Sequence, residues 1–355
     1  MKKNRALRIT KTTKVNFATY LMVIVAFVVL QSMSNAGALK SALQGQLVPI
    51  CAYVTVALAL NLTVGILGEL SLGHAGFMSV GAFAGAVVAS ALRDAVTSTG
   101  LLLAIALVVG AIFAAIAGVL VGIPVLRLNG DYLAIVTLAF GEIIKSIINN
   151  LYIGVDAGGL HASFVQNTIA LGEGGRMILS GPMGIPGVKK ISTFVAGFIL
   201  IIVTLMIIFN LVNSRSGRAI MALRDNRIAA ESVGINVTKY KMMAFVTSAA
   251  LAGAAGALFA LGQNTIVASK FDFNQSILIL VFVVLGGQGR MWGSIIAAAA
   301  LTVLPELLRE FADYRMLVYA IVLILVMLLT NNPTLKNFFE GLAAKFKKSE
   351  KGAEA

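Results

Sequence analysis

The residues of this chain that could do chemistry are few, and most of them stand in apolar or glycine-rich segments. His74 and Glu69 lie in the glycine-rich run 65–76, and Glu142 precedes Lys145 by three positions in an otherwise apolar stretch. A histidine at membrane depth can carry protons, and an acid facing lipid costs about 2.5–3.5 kcal/mol at the centre of a span. His74 could be a proton carrier or a hydrogen-bonding residue that holds the local structure. Glu142 could pair with Lys145 or line a polar path.

Other kinds of chemistry are disfavoured by the residue types present. The single cysteine, Cys51, allows no intrachain disulfide and no thiolate metal site. His161 is the only other histidine, and neither histidine has ligands at metal-binding spacings, so no metal site is expected. The chain has no G-x-x-x-x-G-K-[ST] phosphate cradle. We predict no catalytic residues and no enzymatic activity. Any active transport would use a partner that hydrolyses ATP, or an ion gradient.

The elements that must position these residues are membrane helices. Of the 355 residues, 59% are hydrophobic and 12% are charged, whereas a soluble domain has about 45–50% apolar and about 25% charged residues. A crossing helix needs about 20 apolar residues. The segment 275–308 could form two short spans, or one span and a re-entrant hairpin. We predict an all-α, polytopic transmembrane helix bundle of 8–10 spans, with clear candidates at 17–34, 46–66, 77–92, 100–123, 132–148, 193–212, 241–262 and 316–330.

Basic residues are concentrated at both ends of the chain and in its middle. The net charge is +13, and lysines and arginines cluster in 1–16, 213–241 and 336–355. A soluble protein with this charge could bind nucleic acid. In a membrane protein, such clusters resist translocation and face anionic lipid headgroups. We therefore expect membrane lipid and no nucleic acid as the partner of these charges.

The charge pattern also predicts an orientation. With the N-terminus in the cytoplasm, six crossings return the chain to the cytoplasm at the basic segment 213–241, and an even number of further crossings places the basic C-terminal tail there too. We predict basic cytoplasmic tails at 1–16 and 336–355 and a membrane domain at 17–335. Its 149–192 connection lies outside, where its Gly and Pro content indicates turns and either a partner-binding or an unstructured loop.

The start of the chain admits a second interpretation. Residues 17–33 could be the core of a secretory signal, with Ala36-Gly37-Ala38 as a cleavage site. The run is long for a signal core, which favours a retained first span. The choice leaves the orientation of the remaining chain unchanged.

Two glycine-rich breaks and two polar residues could line a translocation pathway. Irregular backbone at membrane depth survives only where protein or water satisfies it. Ser71 could cap a helix that starts near Leu72, and the half-helix would present free N–H groups to a solute. The alternative is tight packing, with Gly81 and Gly85 on a small-residue face. The candidate pathway residues are Gly68, Ser71, Gly73, His74, Thr137, Glu142, Gly286, Gly287 and Gly289.

The basic middle segment predicts a helix over 218–233 that contacts a soluble partner. A stripe of mostly small apolar residues, interrupted by Asn226, would let another surface approach closely; it comprises Ala219, Ala222, Leu223, Ala230 and Val233. The alternative is an amphipathic helix lying on the bilayer. The stripe has no large aromatic residue, which favours docking to a protein.

Five segments together resemble the permease subunits of branched-chain amino acid ABC importers of the LivM type. They cover most of residues 46–330. They are LNLTVGILGELSLGHAGFMSVGAF (60–83), LRLNGDYLAIVTLAFGEIIKSIINN (126–150), SGPMGIPG (180–187), SRSGRAIMALRDNRIAAESVGINVTKYKMMAFVTSAALAGAAGALFA (214–260) and LGGQGRMWGSIIAAAALTVLPELLRE (285–310).

The resemblance implies a multi-pass protein of the bacterial cytoplasmic (inner) membrane that imports branched-chain or related amino acids. It implies a second homologous permease subunit, two ATP-binding cassette subunits that bind ATP and Mg²⁺, and an extracytoplasmic solute-binding protein. Urea, amides or other small solutes are alternative cargoes, and an ion-coupled secondary transporter is an alternative class. The resemblance implies that Ala229, Ala230, Glu231 and Gly234 contact the ATPases. With the basic residues of the predicted coupling helix 213–240, the full set of predicted ATPase-coupling residues is Arg218, Ala222, Arg224, Asp225, Arg227, Ala229, Ala230, Glu231 and Gly234. The insert 155–179 departs from the family pattern.

Overall fold

The computed structural model describes residues 11–38, 40–93, 95–126, 132–156, 159–165 and 175–308, together with 320, 321 and 324. The predicted C-terminal tail, and most of the predicted N-terminal tail and of span 316–330, lie outside these residues. The described elements are α1 (Lys11–Asn35), α2 (Ser41–Asn61), a π-helical turn (Leu62–Leu67), α3 (His74–Ala91), α4 (Thr99–Val125), α5 (Tyr132–Asn149), β1 (Tyr152–Asp156), β2 (Gly159–Ser163), β3 (Arg176–Ser180), α6 (Phe194–Asn213), α7 (Arg215–Asp225), α8 (Arg227–Ser232), α9 (Val237–Ala260), α10 (Phe273–Gly286) and α11 (Met291–Leu307).

The chain divides into two units. The first, Met1–Ala299, contains every element up to the first half of α11. The second, Ala300–Ala355, is described only in the end of α11 and at three isolated helical positions.

Seven described helices are long and apolar enough to cross a membrane. They are α1, α2 with its π-helical turn, α3, α4, α5, α6 and α9, which confirms the predicted polytopic helix bundle. Segment 275–308 folds as two short helices, α10 and α11, of 14 and 17 residues. At 1.5 Å per residue they extend about 21 and about 26 Å, less than the roughly 30 Å of a hydrocarbon core. The number of crossings stays a prediction.

The bundle core is a seam of small residues around α9. A Cβ built on Gly81 of α3 would lie 2.1 Å from the carbonyl oxygen of Gly253 in α9, and one built on Gly253 would lie 2.2 Å from Ala114 in α4. Backbones can approach this closely only where side chains are absent or minimal. The packing interpretation of Gly81 and Gly85 is therefore correct, since Gly85 meets Ala257 in the same way.

The elements define two ends of the first unit. At one end, which we call the sheet end, the segment after β3 runs beside the end of α9, where Ile191 N–H donates to Leu261 O at 3.0 Å. At the other, which we call the basic end, α7 and α8 connect α6 to the start of α9. The helices α3 and α9 both run from the basic end to the sheet end, because Gly81 faces Gly253 and Gly85 faces Ala257.

The connection 149–192 contains a small antiparallel sheet, which the sequence analysis did not anticipate. The strand order is β2-β1-β3, with a register irregularity between Ile153 and Gly154. Main-chain hydrogen bonds also join Ile185 to Ile266, at 2.9 and 3.1 Å, and Val188 N–H to Asn264 O at 3.0 Å. Among the described residues of this connection, turns expected from Gly and Pro are present, and paired strands and backbone bonds join them to each other and to the segment after α9.

Candidate coupling and translocation site

The first glycine-rich break begins where α2 passes into the π-helical turn. That turn ends at Gly68, whose φ of +80° lies in the left-handed region that favours glycine. Residues 68–73 are not helical, and α3 starts at His74. The prediction that Ser71 caps a helix starting near Leu72 is therefore wrong. The N-cap position belongs to Gly73, which has no side chain to offer.

The break lies deep in the bundle and is satisfied by protein groups. His74 contacts Ser248, eleven residues after the start of α9, which corresponds to about 16 Å along the helix axis. Leu72 N–H donates to Thr137 Oγ1 at 3.1 Å, and Thr137 donates to Ala134 O at 3.0 Å. A Cβ on Gly73 would lie 2.5 Å from Thr137 O, so the break fits directly against α5.

His74 joins three helices through a chain of hydrogen bonds. Its Nε2 is 2.7 Å from Ser248 Oγ, and its Nδ1 is 3.2 Å from Ser71 Oγ. Ser248 gives its only hydroxyl hydrogen to Ala59 O at 2.5 Å, so it accepts from His74 Nε2–H. Both ring nitrogens therefore have partners within the bundle, which agrees with a hydrogen-bonding residue that holds the local structure.

The two glycine-rich breaks meet at Asn61. Its Oδ1 accepts from Gly289 N–H at 2.7 Å, and its Nδ2 donates to Ser294 Oγ at 2.8 Å and to Arg290 O at 3.2 Å. A Cβ on Gly65 would lie 2.2 Å from Gly289 N. Asn61 is thus a site residue that the sequence analysis missed. Its amide in the middle of an apolar helix was the available signal.

The second break is a tight turn between α10 and α11. Gly287 and Gly289 have φ of +90° and +79°, and Arg290 N–H donates to Gly287 O at 3.0 Å. Gly286 lies against Gly293, where a Cβ would be 1.8–2.4 Å from backbone atoms. Glycine is therefore required here by backbone geometry and close approach.

The basic segment is two helices and not the single helix predicted for 218–233. Asn226 has an extended backbone, φ −158° and ψ +104°, and its side chain accepts from Ala229 N–H at 3.0 Å. Asparagine is a favoured N-cap, so it ends α7 and starts α8. Gly234, with φ +83°, then ends α8 in the left-handed conformation typical of helix C-termini.

The predicted docking stripe faces the chain itself. Leu223 and Ala230 are buried in a cluster with Val237, and Ala222 packs against that cluster. Val233, predicted on the same stripe, is 75% exposed, because it follows the last turn of α8. Ile228 is 80% exposed. The large apolar side chains that are exposed in α7, α8 and the turn after α8 are therefore Ile228 and Val233.

Two basic residues of this region reach the first break. Arg224 Nη1 donates to Gly65 O at 2.5 Å, and a Cβ on Gly68 would lie 2.8 Å from Arg224 Cγ. Lys241 Nζ forms an ion pair with Glu69, and the two side chains are only 5% and 15% exposed. Lys241 had been counted only as an orientation charge. Its position four residues into α9 gave no sign of a partner 172 positions away.

The remaining predicted residues stand apart from this network. Arg218, Asp225 and Ala229 are exposed, and Arg227 pairs with Glu231 at 3.6 Å on the surface of α8. Glu142 is 45% exposed and pairs with Lys145 at 3.0 Å, as the i, i+3 spacing predicted. It lies on α5 with Ile143 and Ile147 on a face that the described chain leaves uncovered.

Comparison with known proteins gives one family. Residues 42–327 match the family model described as branched-chain amino acid transport system / permease component. The high-affinity branched-chain amino acid transport system permease protein LivM of Salmonella typhimurium is 37% identical over 288 residues, covering 78% of this chain and 66% of that protein. The chain thus spans slightly less than two thirds of the length of this relative.

More distant relatives match the same share of this chain and a larger share of their own length. LivH of Escherichia coli, a permease of the branched-chain amino acid system, is 27% identical over 78% of this chain and 88% of its own length. The ribose import permease protein RbsC of Escherichia coli is 28% identical over 78% of this chain and 82% of its own. No solved structure matches significantly. The family model covers well over half of the chain, and the chain therefore belongs to the family of branched-chain amino acid transport system permease components.

Proposed function

We propose that this chain is the transmembrane permease subunit of an ATP-driven importer for branched-chain or related amino acids. The observation that carries the proposal is the direct connection between α7–α8 and both glycine breaks, through Arg224 and Asn61. A permease driven from outside the membrane needs such a connection between its driven surface and its core. The LivM and LivH relatives support the choice of solute class.

The proposed orientation places the basic end in the cytoplasm of a bacterial inner membrane. Six spanning helices precede α7, so an N-terminus inside returns α7 and α8 to the inside. Lys and Arg retained at that end agree with this choice. The sheet end then faces outward, where a solute-binding protein delivers its cargo, and the C-terminus is cytoplasmic.

The proposed contact with two ATP-binding cassette subunits is formed by α8 and the turn after it. Ile228 and Val233 are large apolar residues with most of their surface exposed, and they stand beside Arg227 and Glu231. An apolar centre with a charged rim is typical of a protein interface. Two aliphatic side chains give little area for binding a bilayer surface, which favours the protein partner. The partner subunits supply ATP and Mg²⁺.

The proposed pathway uses the first break and α5. Ser71, His74 and Thr137 are almost completely buried and hydrogen-bonded, so these groups reach a solute only after the break moves. Glu142 and the uncovered face of α5 are proposed to meet a second, homologous permease subunit, because a carboxylate facing lipid is costly. The solute then passes between the two subunits, beside the break.

The test is to express the chain with candidate ATPase subunits, a second permease and the solute-binding protein. We expect a stable complex in mild detergent whose ATP hydrolysis is stimulated by the binding protein loaded with leucine, isoleucine or valine. Stimulation by the binding protein loaded with ribose, urea or an amide instead would change the proposed solute and would still support an ATP-driven importer. Transport by the purified chain alone, driven by an ion gradient, would contradict the proposal.

A surface variant sharpens this test. Ile228→Asp places a charge in the proposed interface, and we expect loss of the ATPases on purification while the chain still inserts in the membrane. Thr238→Asp, which adds the same charge at an exposed position at the start of α9, is the matched control. Equal recovery of the ATPases with both variants would contradict the proposal that α8 contacts the ATPases.

A further inference from the structure

Arg224, at the end of α7, keeps part of its surface exposed, but its guanidinium and its aliphatic chain contact the first break. We propose that Arg224 is the positioning residue that transmits movement of α7 and α8 to both glycine breaks. The inference rests on the proposed function, and it gives Arg224 a role different from direct docking, which the sequence had suggested.

The first contact is with the end of a helix. Gly65 lies in the last turn of the π-helical segment, and the final carbonyls of a helix have no later amide within the helix to bond. The guanidinium of Arg224 supplies a donor to Gly65 O at 2.5 Å. A cation also complements the partial negative charge at a helix C-terminus. The arginine of α7 thus completes a helix to which it is not covalently adjacent.

The second contact is a notch made by Gly68. A Cβ at this position would lie 2.8 Å from Arg224 Cγ and 3.5 Å from its Cβ and Cδ. The aliphatic part of Arg224 therefore fills the space that Gly68 leaves. This contact fixes the side chain laterally, so a displacement of α7 displaces the break as well.

The third contact extends to the second break. The position of a Cβ on Gly289 lies 3.7 Å from Arg224 Nη1 and 3.3 Å from Gly65 O. Gly289 is in turn held by Asn61, whose amide spans both breaks. Arg224, Gly65 and Gly289 therefore meet at one point, and α7 cannot shift there without changing the contacts of both breaks.

The other side of the first break is fixed to the bundle. Glu69 pairs with the buried Lys241 near the start of α9, and α9 forms the core seam with α3 and α4. The break is held on one side by α9 and on the other by α7. A force applied to α7 through Arg224 would then bend residues 65–69 against a fixed point, which suits a hinge.

The experiment uses the assembled complex in lipid nanodiscs, with Cys51→Ala and paired spin labels at Thr238→Cys and Gln288→Cys. Arg224→Ala is compared with Arg215→Ala, which removes the same charge from the exposed first residue of α7. We measure ATPase recovery, basal hydrolysis, solute-stimulated hydrolysis and the change in label distance on trapping ATP.

We expect Arg224→Ala to keep ATPase recovery and basal hydrolysis within about twofold of the unsubstituted chain. Solute uptake and solute stimulation should fall at least tenfold, and the distance change on trapping ATP should be lost. Arg215→Ala should resemble the unsubstituted chain. Arg224→Lys keeps the charge with one compact donor group, so stimulation should fall three- to tenfold; this variant carries the test if Arg224→Ala does not fold.

Three results would overturn the inference. Uptake by Arg224→Ala within twofold of normal would show that no movement passes through the residue. Loss of the ATPases on purification with Arg224→Ala or Arg224→Lys, and not with Arg215→Ala, would make Arg224 a docking residue. If the label distance still changed normally while uptake fell, Arg224 would be needed for uptake and not for the movement of the breaks. Failure of the unsubstituted complex to assemble would instead contradict the proposed function itself.

Discussion

The basic end and the sheet end of the bundle are held together in different ways. At the basic end, single side chains make the connections between helices: Arg224 to Gly65, Lys241 to Glu69, and Asn61 to Gly289 and Ser294. At the sheet end, backbone groups make most of the connections, between Ile185 and Ile266, between Val188 and Asn264 and within the three-stranded sheet. Side chains add further bonds, from Ser192 to Leu258 O and from Arg176 to Ser90 O. A connection through a few side chains can be broken and remade as a switch. A connection through many backbone bonds is better suited to a fixed platform.

The largest effect should come from breaking the ion pair of the basic end. Glu69→Ala leaves the ammonium of Lys241 buried without its carboxylate, which typically costs about 3–5 kcal/mol. We expect a large fall in the apparent melting temperature in detergent and in the amount of inserted protein. The double variant Glu69→Gln with Lys241→Gln removes both charges and should recover most of the loss. A double variant as unstable as the single one would contradict the importance of the pair.

A pair of glycines at the sheet end tests the platform. Gly184 and Gly187 have nearly equal φ of +68° and +66°, but a Cβ would lie 1.8 Å from Ile266 O at Gly184 and in open space at Gly187. Gly187→Ala should cost about 1–2 kcal/mol for the left-handed backbone. Gly184→Ala should cost about 1–3 kcal/mol more, because its Cβ pushes on the backbone of the neighbouring segment and because its ψ of −141° lies outside the left-handed helical region. Thermal unfolding of the two variants side by side measures the difference in stability. Equal melting temperatures would contradict the close contact between Gly184 and Ile266.

Asn61→Ala should have an intermediate effect on stability and a large one on activity. The substitution leaves Gly289 N–H and Ser294 without their partner, at about 1–3 kcal/mol for each group left buried and unsatisfied. Ser294→Ala removes only one of these bonds and is the control. We expect uptake to fall more with Asn61→Ala than with Ser294→Ala. Equal uptake would mean that the two breaks need not move together.

The smallest effect should come from a side-chain contact at the sheet end. His161→Ala removes a contact at 3.0 Å between β2 and Asp156 of β1, in which the histidine side chain is 47% exposed and that of Asp156 is 10% exposed. Asp156 has a further partner, which the substitution leaves in place. Exposed pairs contribute about 0–1 kcal/mol. We expect unchanged uptake and a melting temperature within a few degrees, measured beside Glu69→Ala. A fall in melting temperature as large as that of Glu69→Ala would contradict the difference that we infer between the basic end and the sheet end.

The sequence was most informative where composition alone decides the structure. Apolar runs gave the spanning helices within a few residues, and glycine density located both breaks. The i, i+3 spacing correctly paired Glu142 with Lys145. These signals are local, because helix formation and helix length depend on a short stretch of chain.

The sequence was least informative about contacts between distant residues. Nothing local shows that Arg224 bonds to Gly65, that Asn61 bridges two breaks, or that Lys241 meets Glu69. The strands at 152–180 were missed because five-residue strands are formed by pairing across the sheet. The split at Asn226 was accessible, since asparagine ahead of a short helix is an N-cap signal.

The central claim is that α7 and α8 lie on the cytoplasmic side and are covered by the ATPase subunits. The most direct measurement is labelling of Ile228→Cys, in a Cys51→Ala background, with a membrane-impermeant maleimide. We expect no labelling in intact cells, strong labelling in inverted vesicles without the ATPases, and at least tenfold slower labelling when the ATPases are present. Rapid labelling of Ile228→Cys from outside intact cells would contradict the account.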